Sequence, residues 1–295
     1  MHINSEYTGS RLKAFTMTVT PRQIMNYAAG LGDANPYYLD DERAGGIVAP
    51  PMFAAAVTWQ MSRRIWEFLD APGFPMQVFT TQVHYSEHLK IHRLMRPGDK
   101  LVVTGEIAAI IPHRSGTHLA VRYDAVDKKG TPLFTEHAGV MLRGVACADS
   151  GRGRDRLPGI PEAPGAGAVS WTERIRIHAL AAPVYDACAD IHFPIHTSPQ
   201  FARSVGLPGI ILQGTATLAH AARCIVNHEA QGNPAALREL SCGFAGLVCP
   251  GSEIALTVNA ETGGPSERHV FFHITNAENK TAIRSGYARL SAPAE

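Results

Sequence analysis

One stretch in the second half of the chain gathers residue types that can move protons. It reads Tyr185-Asp186-Ala187-Cys188-Ala189-Asp190-Ile191-His192-Phe193-Pro194-Ile195-His196-Thr197 and runs on to Ile211-Leu212-Gln213-Gly214-Thr215. Asp190 and His196 lie in a proline-containing loop, and Gly214 stands just before a helix-forming run. A carboxylate and an imidazole can hold one water between them, one acting as base while a proton is returned to carbon. A glycine N–H near a helix N-terminus can hold a thioester oxygen as it becomes enolate-like. Glycine also lets a ligand approach the backbone closely. Together these groups suit the addition of water to an activated double bond, or its removal. The same aspartate could equally be a turn former, and His196 a hydrogen-bonded loop histidine, so residue types alone leave both readings open.

The elements that must position these groups follow from composition and period. Ala148 to Ala168 is rich in Gly and Pro, which resist helix and strand alike, and reads as a linker between segments 1–147 and 169–295. The two segments repeat one layout. Gly32-Asp33-Ala34-Asn35-Pro36 follows a candidate helix, Arg22 to Leu31, and Asp190 to Pro194 follows Val184 to Cys188, with Asp33 and Asp190 157 positions apart. Arg96-Pro97-Gly98-Asp99 and Cys249-Pro250-Gly251-Ser252 each precede a strand-like run, 153 positions apart. Both halves then carry a long apolar helix. In Met52 to Leu69, Phe53, Val57, Met61 and Ile65 share one face; in Thr215 to Glu229, Ala219, Ala222, Ile225 and Val226 do. Three strand-like runs complete each half: Lys100–Ile111, Thr117–Asp127 and Pro132–Leu142, then Glu253–Glu261, Arg268–Thr275 and Thr281–Leu290. A helix this apolar must be wrapped by the sheet. The expected fold is α+β, a curved antiparallel sheet around one central helix, made twice by duplication.

Composition narrows the function. Lys+Arg 27 against Asp+Glu 26 leaves a net charge of +1, which gives no electrostatic footprint for nucleic acid or an anionic membrane. The five cysteines (Cys147, Cys188, Cys224, Cys242, Cys249) form no CxxC pair, as expected of free thiols in a reducing compartment. No signal peptide or membrane span is read, so a cytoplasmic, soluble protein is expected. His84, His88 and His92 have helical metal-ligand spacing, but they precede Pro97-Gly98, where the repeat predicts an extended segment that scatters the rings. No metal is expected.

Tyr185 to Thr217 resembles the MaoC-like, R-specific enoyl-CoA hydratase/dehydratase family, whose loop reads approximately Asp-x-Asn-Pro-x-His with a later Ile-Leu-His-Gly segment. The first half, with Gly32-Asp33-Ala34-Asn35-Pro36-Tyr37-Tyr38 and Ala49-Pro50-Pro51-Met52-Phe53, resembles the degenerate N-terminal domain of two-domain members. The resemblance implies a double hot-dog fold. It also implies Asp190 and His196 as catalytic pair, Gly214 as oxyanion-hole glycine, and Gln213 and Thr215 beside the substrate. The implied substrate is an acyl-CoA, a 2-enoyl or 3-hydroxyacyl thioester, with no further cofactor; assembly into a homodimer is left open. Three departures stand out. Asp190 and His196 are six apart, one more than the family spacing, which requires a one-residue bulge; Phe193 replaces Asn; Gln213 replaces His. Tyr38 takes the histidine position in the first half, so that half is expected to shape the acyl pocket without catalysis. The alternatives are a non-catalytic acyl-CoA-binding subunit and a hot-dog thioesterase.

Overall fold

The computed structural model describes residues 1–165, 169–264 and 266–291. Ten strands build the main sheet. They are β1 (Arg11–Thr18), β2 (Gln82–Ile91), β3 (Lys100–His113), β4 (Gly116–Asp127), β5 (Pro132–Arg143), β6 (Trp171–Arg176), β7 (Leu237–Phe244), β8 (Glu253–Gly263), β9 (Glu267–Thr275) and β10 (Thr281–Ser291). Their order is β1-β3-β4-β5-β2-β7-β10-β9-β8-β6. Five strands come from each half, and the second five repeat the order of the first. The expected strand runs are β3 to β5 and β8 to β10. The halves meet where β2 pairs antiparallel with β7, from Ser86 opposite Gly243 to Lys90 opposite Glu239. Two curved antiparallel sheets, each with its helices, are thereby one continuous sheet, the double hot-dog arrangement.

Among the described residues seven α-helices accompany the sheet: α1 (Pro21–Gly30), α2 (Pro36–Leu39), α3 (Phe53–Ser62), α4 (Ile65–Phe68), α5 (Ala181–Ala189), α6 (Pro199–Ser204) and α7 (Gly214–Ala230). Thr20 and Gln23 cap the start of α1 reciprocally, with Pro21 in its first turn. The central helix of the second half, α7, is buried on nearly every side, from Ala216 through Val226. Its counterpart corrects the sequence reading. Met52 to Leu69 is not one helix: α3 stops at Ser62 and α4 begins at Ile65. Phe53, Val57, Met61 and Ile65 are all buried, so the apolar face is as expected. The interruption follows hydroxyls that bond back onto the helix, Thr58 to the Ala54 carbonyl and Ser62 to the Thr58 carbonyl. Such back-bonding weakens and bends a helix. Ser62 also meets the Tyr123 hydroxyl of β4 at 2.8 Å.

The segment expected as a linker lies against the sheet from Arg152 to Leu157 and is exposed from Gly159 to Gly165; its Ala166–Ala168 lie outside the described residues. Arg152 bridges to Ile110 of β3, and Gly153 follows at φ 83°. A Cβ on Gly153 would collide with the Ala108 carbonyl, so only glycine lets the chain lie this close to the sheet. Among the described residues no helix is long and apolar enough to cross a membrane.

The shared ladder predicts that the halves do not fold apart. Separated, β2 and β7 each expose a full edge of unpaired backbone groups, which invites aggregation. Residues 1–150 and 165–295 expressed singly should be insoluble or unfolded, and co-expression should rescue them. Two soluble halves, each melting cooperatively, would contradict this.

Candidate active site

Matching backbone hydrogen bonds place the two loops in register. Asp33 N–H donates to the Ala28 carbonyl at 2.9 Å, and Ile191 N–H to the Asp186 carbonyl at 3.2 Å. Tyr38 N–H donates to Asn35, and His196 N–H to Phe193, both at 3.0 Å. Downstream, Val48 N–H donates to Tyr37 and Ile211 N–H to Ile195, while Ala49 N–H reaches Met95 and Leu212 N–H reaches Val248. Thus Tyr38 corresponds to His196, and Pro51 to Gly214. The first half has neither the imidazole nor, at the glycine position, an N–H to donate.

The same register removes the expected bulge. Gly32 and Asp190 are equivalent, both left-handed, at φ 60° and 54°. Asp33 is therefore matched by Ile191, which is buried, and not by Asp190. The repeat distance in this loop is 158 residues, the separation of the paired tyrosines Tyr27 and Tyr185, whose hydroxyls lie 3.0 Å apart. Asp190 ends α5 in the left-handed region, a conformation Asp tolerates better than most residues. Its side chain is 57% exposed and accepts from Gln60 Nε2 of α3 at 2.9 Å. Among the described residues, no hydrogen bond joins it to His196.

His196 is buried in the short turn Pro194–His196. Its Nδ1 donates to the Ile211 carbonyl at 2.8 Å, which leaves the lone pair on Nε2. Burial lowers its pKa from the ordinary value, so the ring is neutral near pH 7. The bond to Ile211 also fixes the ring beside the chain leading into α7. The N-cap residue of that helix, Gln213, makes no side-chain capping bond, and the first N–H groups of a helix have no intrahelical acceptor. Phe244 packs against Gly214, with ring carbons 3.1 and 3.2 Å from where a Cβ would stand. A side chain there would press on the ring.

Gln213 and Thr215 flank the glycine differently. Gln213 is buried, and its Nε2 donates to the Ala182 carbonyl at 3.1 Å, tying α5 to the start of α7. Its Oε1 is buried with no partner among the described residues. Thr215 Oγ1 lies 3.3 Å from the Tyr185 hydroxyl. Phe193 shares an aromatic cluster with Trp59, Phe201 and His196, at centroid distances of 6.4 to 6.5 Å. Packing thus holds a loop that Asn35 holds in the first half by donating to the Gly232 carbonyl.

Sequence reasoning missed two residues. Asp186 is buried on α5, its Oδ1 2.8 Å from His192 Nδ1, and its Oδ2 accepts from Phe193 N–H at 3.3 Å. His192 Nε2 lies 2.6 Å from Asp190 Oδ1. The hydrogen bond that His192 donates to Asp186, helped by the charge of both carboxylates, raises the pKa of His192. An apolar residue at the loop's carboxylate position, with an acid one turn earlier, was the available signal.

Residues 185–281 match the MaoC like domain, and residues 6–136 match the FAS1-like, dehydratase domain region. The second half is thus similar to MaoC-like domains and the first to a dehydratase region, on a double hot-dog fold. It is 24% identical to the peroxisomal enoyl-CoA hydratase 2 of Arabidopsis thaliana, over 96% of each chain. A MaoC-like dehydratase from Phytophthora capsici superposes with a TM-score of 0.81 at 20% identity, over 97% of each chain. A Mycobacterium tuberculosis protein described as having a double hotdog fold superposes at 0.63, with 14% identity and coverage of 96% of each chain.

Behind Phe244 lies a buried acid pair. The His84 ring is 4.4 Å from that of Phe244, and its Nε2 is 3.0 Å from Glu87 Oε2. His84 is on the extended β2, as the repeat predicts, and not on a helix. Glu87 and Glu136, on paired strands β2 and β5, are both 2% exposed. Burial pushes Glu87 up to about 7 and, with Glu87 beside it, holds Glu136 well above the carboxylate range. A carboxyl whose pKa is raised on folding stabilises fully below its unfolded value. That stability falls as pH rises from about 4.5 through about 7. Glu87→Gln removes the loss, worth at most roughly 3 kcal/mol at 1.36 kcal/mol per pK unit. The melting temperature of Glu87→Gln relative to wild type should therefore be higher at pH 8 than at pH 5. An equal difference at both pH values would refute the protonated state.

Proposed function

We propose that this chain interconverts a 2-enoyl thioester and the (R)-3-hydroxyacyl thioester, with coenzyme A as the expected carrier. The observation that carries the reading is the pairing, in one half only, of an imidazole with a free Nε2 and an uncapped helix start at glycine. The name of the Arabidopsis relative, an enoyl-CoA hydratase, supports the same reaction class.

The chemistry follows from the groups available. The thioester carbonyl sits at the Gly214 N–H, where the helix dipole favours the negative charge that develops on oxygen. Water bound between His196 and a carboxylate at the end of α5, Asp186 or Asp190, attacks C3 and loses a proton to one of the pair. The other returns a proton to C2. The enolate collapses to the saturated thioester, and the net change is addition of one water. Thr215 stands beside the Gly214 N–H, Gln213 braces the start of α7 against α5, and Tyr38 and its loop belong to the non-catalytic half. No redox cofactor or metal takes part in this scheme.

A second reading, acyl-thioester binding without turnover, draws on Ile191 at the position of a loop carboxylate. Crotonyl-CoA and longer 2-enoyl-CoA substrates separate the two. Hydration removes the conjugated absorbance without releasing free thiol, thioester hydrolysis releases thiol, and binding alone does neither. His196→Ala should lower turnover about a hundredfold or more, the scale of lost acid–base catalysis. Tyr38→Phe should keep most of it, any effect falling on KM. Unchanged turnover in His196→Ala would remove the imidazole from the mechanism.

A further inference from the structure

We propose that Asp186 supplies the carboxylate this site uses, moved from the loop onto the preceding helix, with His192 as the positioning residue that holds it. The inference rests on the hydratase/dehydratase reading and names the acid of its acid–base pair.

The two halves give an internal comparison. In the first half the loop carboxylate folds back onto its own turn: Asp33 Oδ1 accepts from Asn35 N–H at 3.1 Å. The equivalent donor in the second half is Phe193 N–H. It is taken by Asp186 Oδ2 at 3.3 Å, because Ile191 has no oxygen to offer. A carboxylate oxygen therefore stands at the same backbone N–H in both halves, three residues before Tyr38 in one and before His196 in the other. The position equivalent to Asp186 in the first half is Ala28, so the acid appears on the helix only where the loop has lost it.

The surroundings suit a held carboxylate. Asp186 and His196 are both buried, at 8% and 9% exposure, and the charge of Asp186 acts on His196. His192 faces a carboxylate with each ring nitrogen, Asp186 at 2.8 Å and Asp190 at 2.6 Å. An imidazolium so placed donates twice, which stops the Asp186 side chain from swinging away. Asp190, tied in turn to Gln60 of α3, anchors His192 from outside. In the first half, His192 and Asp190 are matched by Ala34 and Gly32, so the whole clamp is confined to the half with the imidazole. In hydration of the enoyl thioester, the Asp186 carboxylate and His196 Nε2 hold the water; the proton lost from water and the proton gained at C2 both pass through this pair.

The test compares Asp186→Asn, Asp190→Asn and the double variant Asp186→Asn/Ile191→Asp, with wild type and His196→Ala as references, on crotonyl-CoA or a better 2-enoyl-CoA. Asparagine keeps one oxygen for Phe193 N–H but turns its amide NH2 toward His192, so each variant's melting temperature is measured beside its kinetics. The expected result is a kcat loss of about a hundredfold or more in Asp186→Asn, with KM within about threefold and a cooperative melting transition above the assay temperature. Asp190→Asn should lose less than about tenfold. Returning the acid to the loop with Ile191→Asp should recover kcat to within about tenfold of wild type. Turnover of Asp186→Asn within about threefold of an active, His196-dependent wild type overturns the assignment and leaves the hydratase reading intact. So does a greater loss in Asp190→Asn than in Asp186→Asn, or a folded double variant no faster than Asp186→Asn. A wild type that hydrates none of these substrates overturns the hydratase reading and the role of Asp186 with it.

Discussion

The antiparallel ladder between β2 and β7 is the constraint on which the rest of the molecule depends. It converts two five-stranded sheets, each with an open edge, into one ten-stranded sheet whose halves are related by near-identical strand order. Once that register is set, α1 meets α5, and Tyr27 meets Tyr185 across the repeat. Each loop also faces the central helix of the other half. Gln60 of α3 reaches the Asp190 loop, and Arg223 of α7 reaches the Leu31 carbonyl before the Asp33 loop. Neither loop is held by its own half alone.

This reciprocal arrangement explains how two copies of one loop can carry different chemistry. The backbone is conserved in shape between them, hydrogen bond by hydrogen bond, while the side chains exchange parts. The first half keeps the loop carboxylate, buried with its pKa raised by desolvation, beside a tyrosine whose own pKa burial raises well above the ordinary value. A phenol so placed keeps its proton and is no base near neutrality. The second half keeps the imidazole and the glycine and holds its carboxylates on and at the end of α5.

Burial of polar groups is the other recurring theme. The strand that joins the halves carries Glu87 inward, in the company of Glu136 and His84. Charging any of them in this interior is costly, so Glu136 holds its proton, Glu87 gives up its own only near pH 7, and the imidazole stays neutral, its pKa lowered to about 4. The joint between the domains is therefore sensitive to pH in a way an apolar strand would not be.

Length, duplication, the six strand runs around the central helices and the placement of His196 and Gly214 were legible in the sequence, because hydrophobic period and turn residues are local signals. The strands that fuse the halves were not, since Glu87, His88 and Ser241 break the apolar alternation that marks a strand, and their burial is decided by partners more than 140 residues away. The end of α3 was hidden for a similar reason: Thr58 and Ser62 sit on a correct apolar period, and only their hydroxyl contacts show where the helix yields. The loop register was the subtlest case. Counting aspartates aligned Asp33 with Asp190 and demanded a bulge, whereas the positive φ shared by Gly32 and Asp190 aligns Asp33 with Ile191 and needs none. Residue identity is a sparse guide across a diverged repeat. Backbone conformation and the donor–acceptor pairs it satisfies are set by the fold, and it was these that brought Asp186 and His192 to the site.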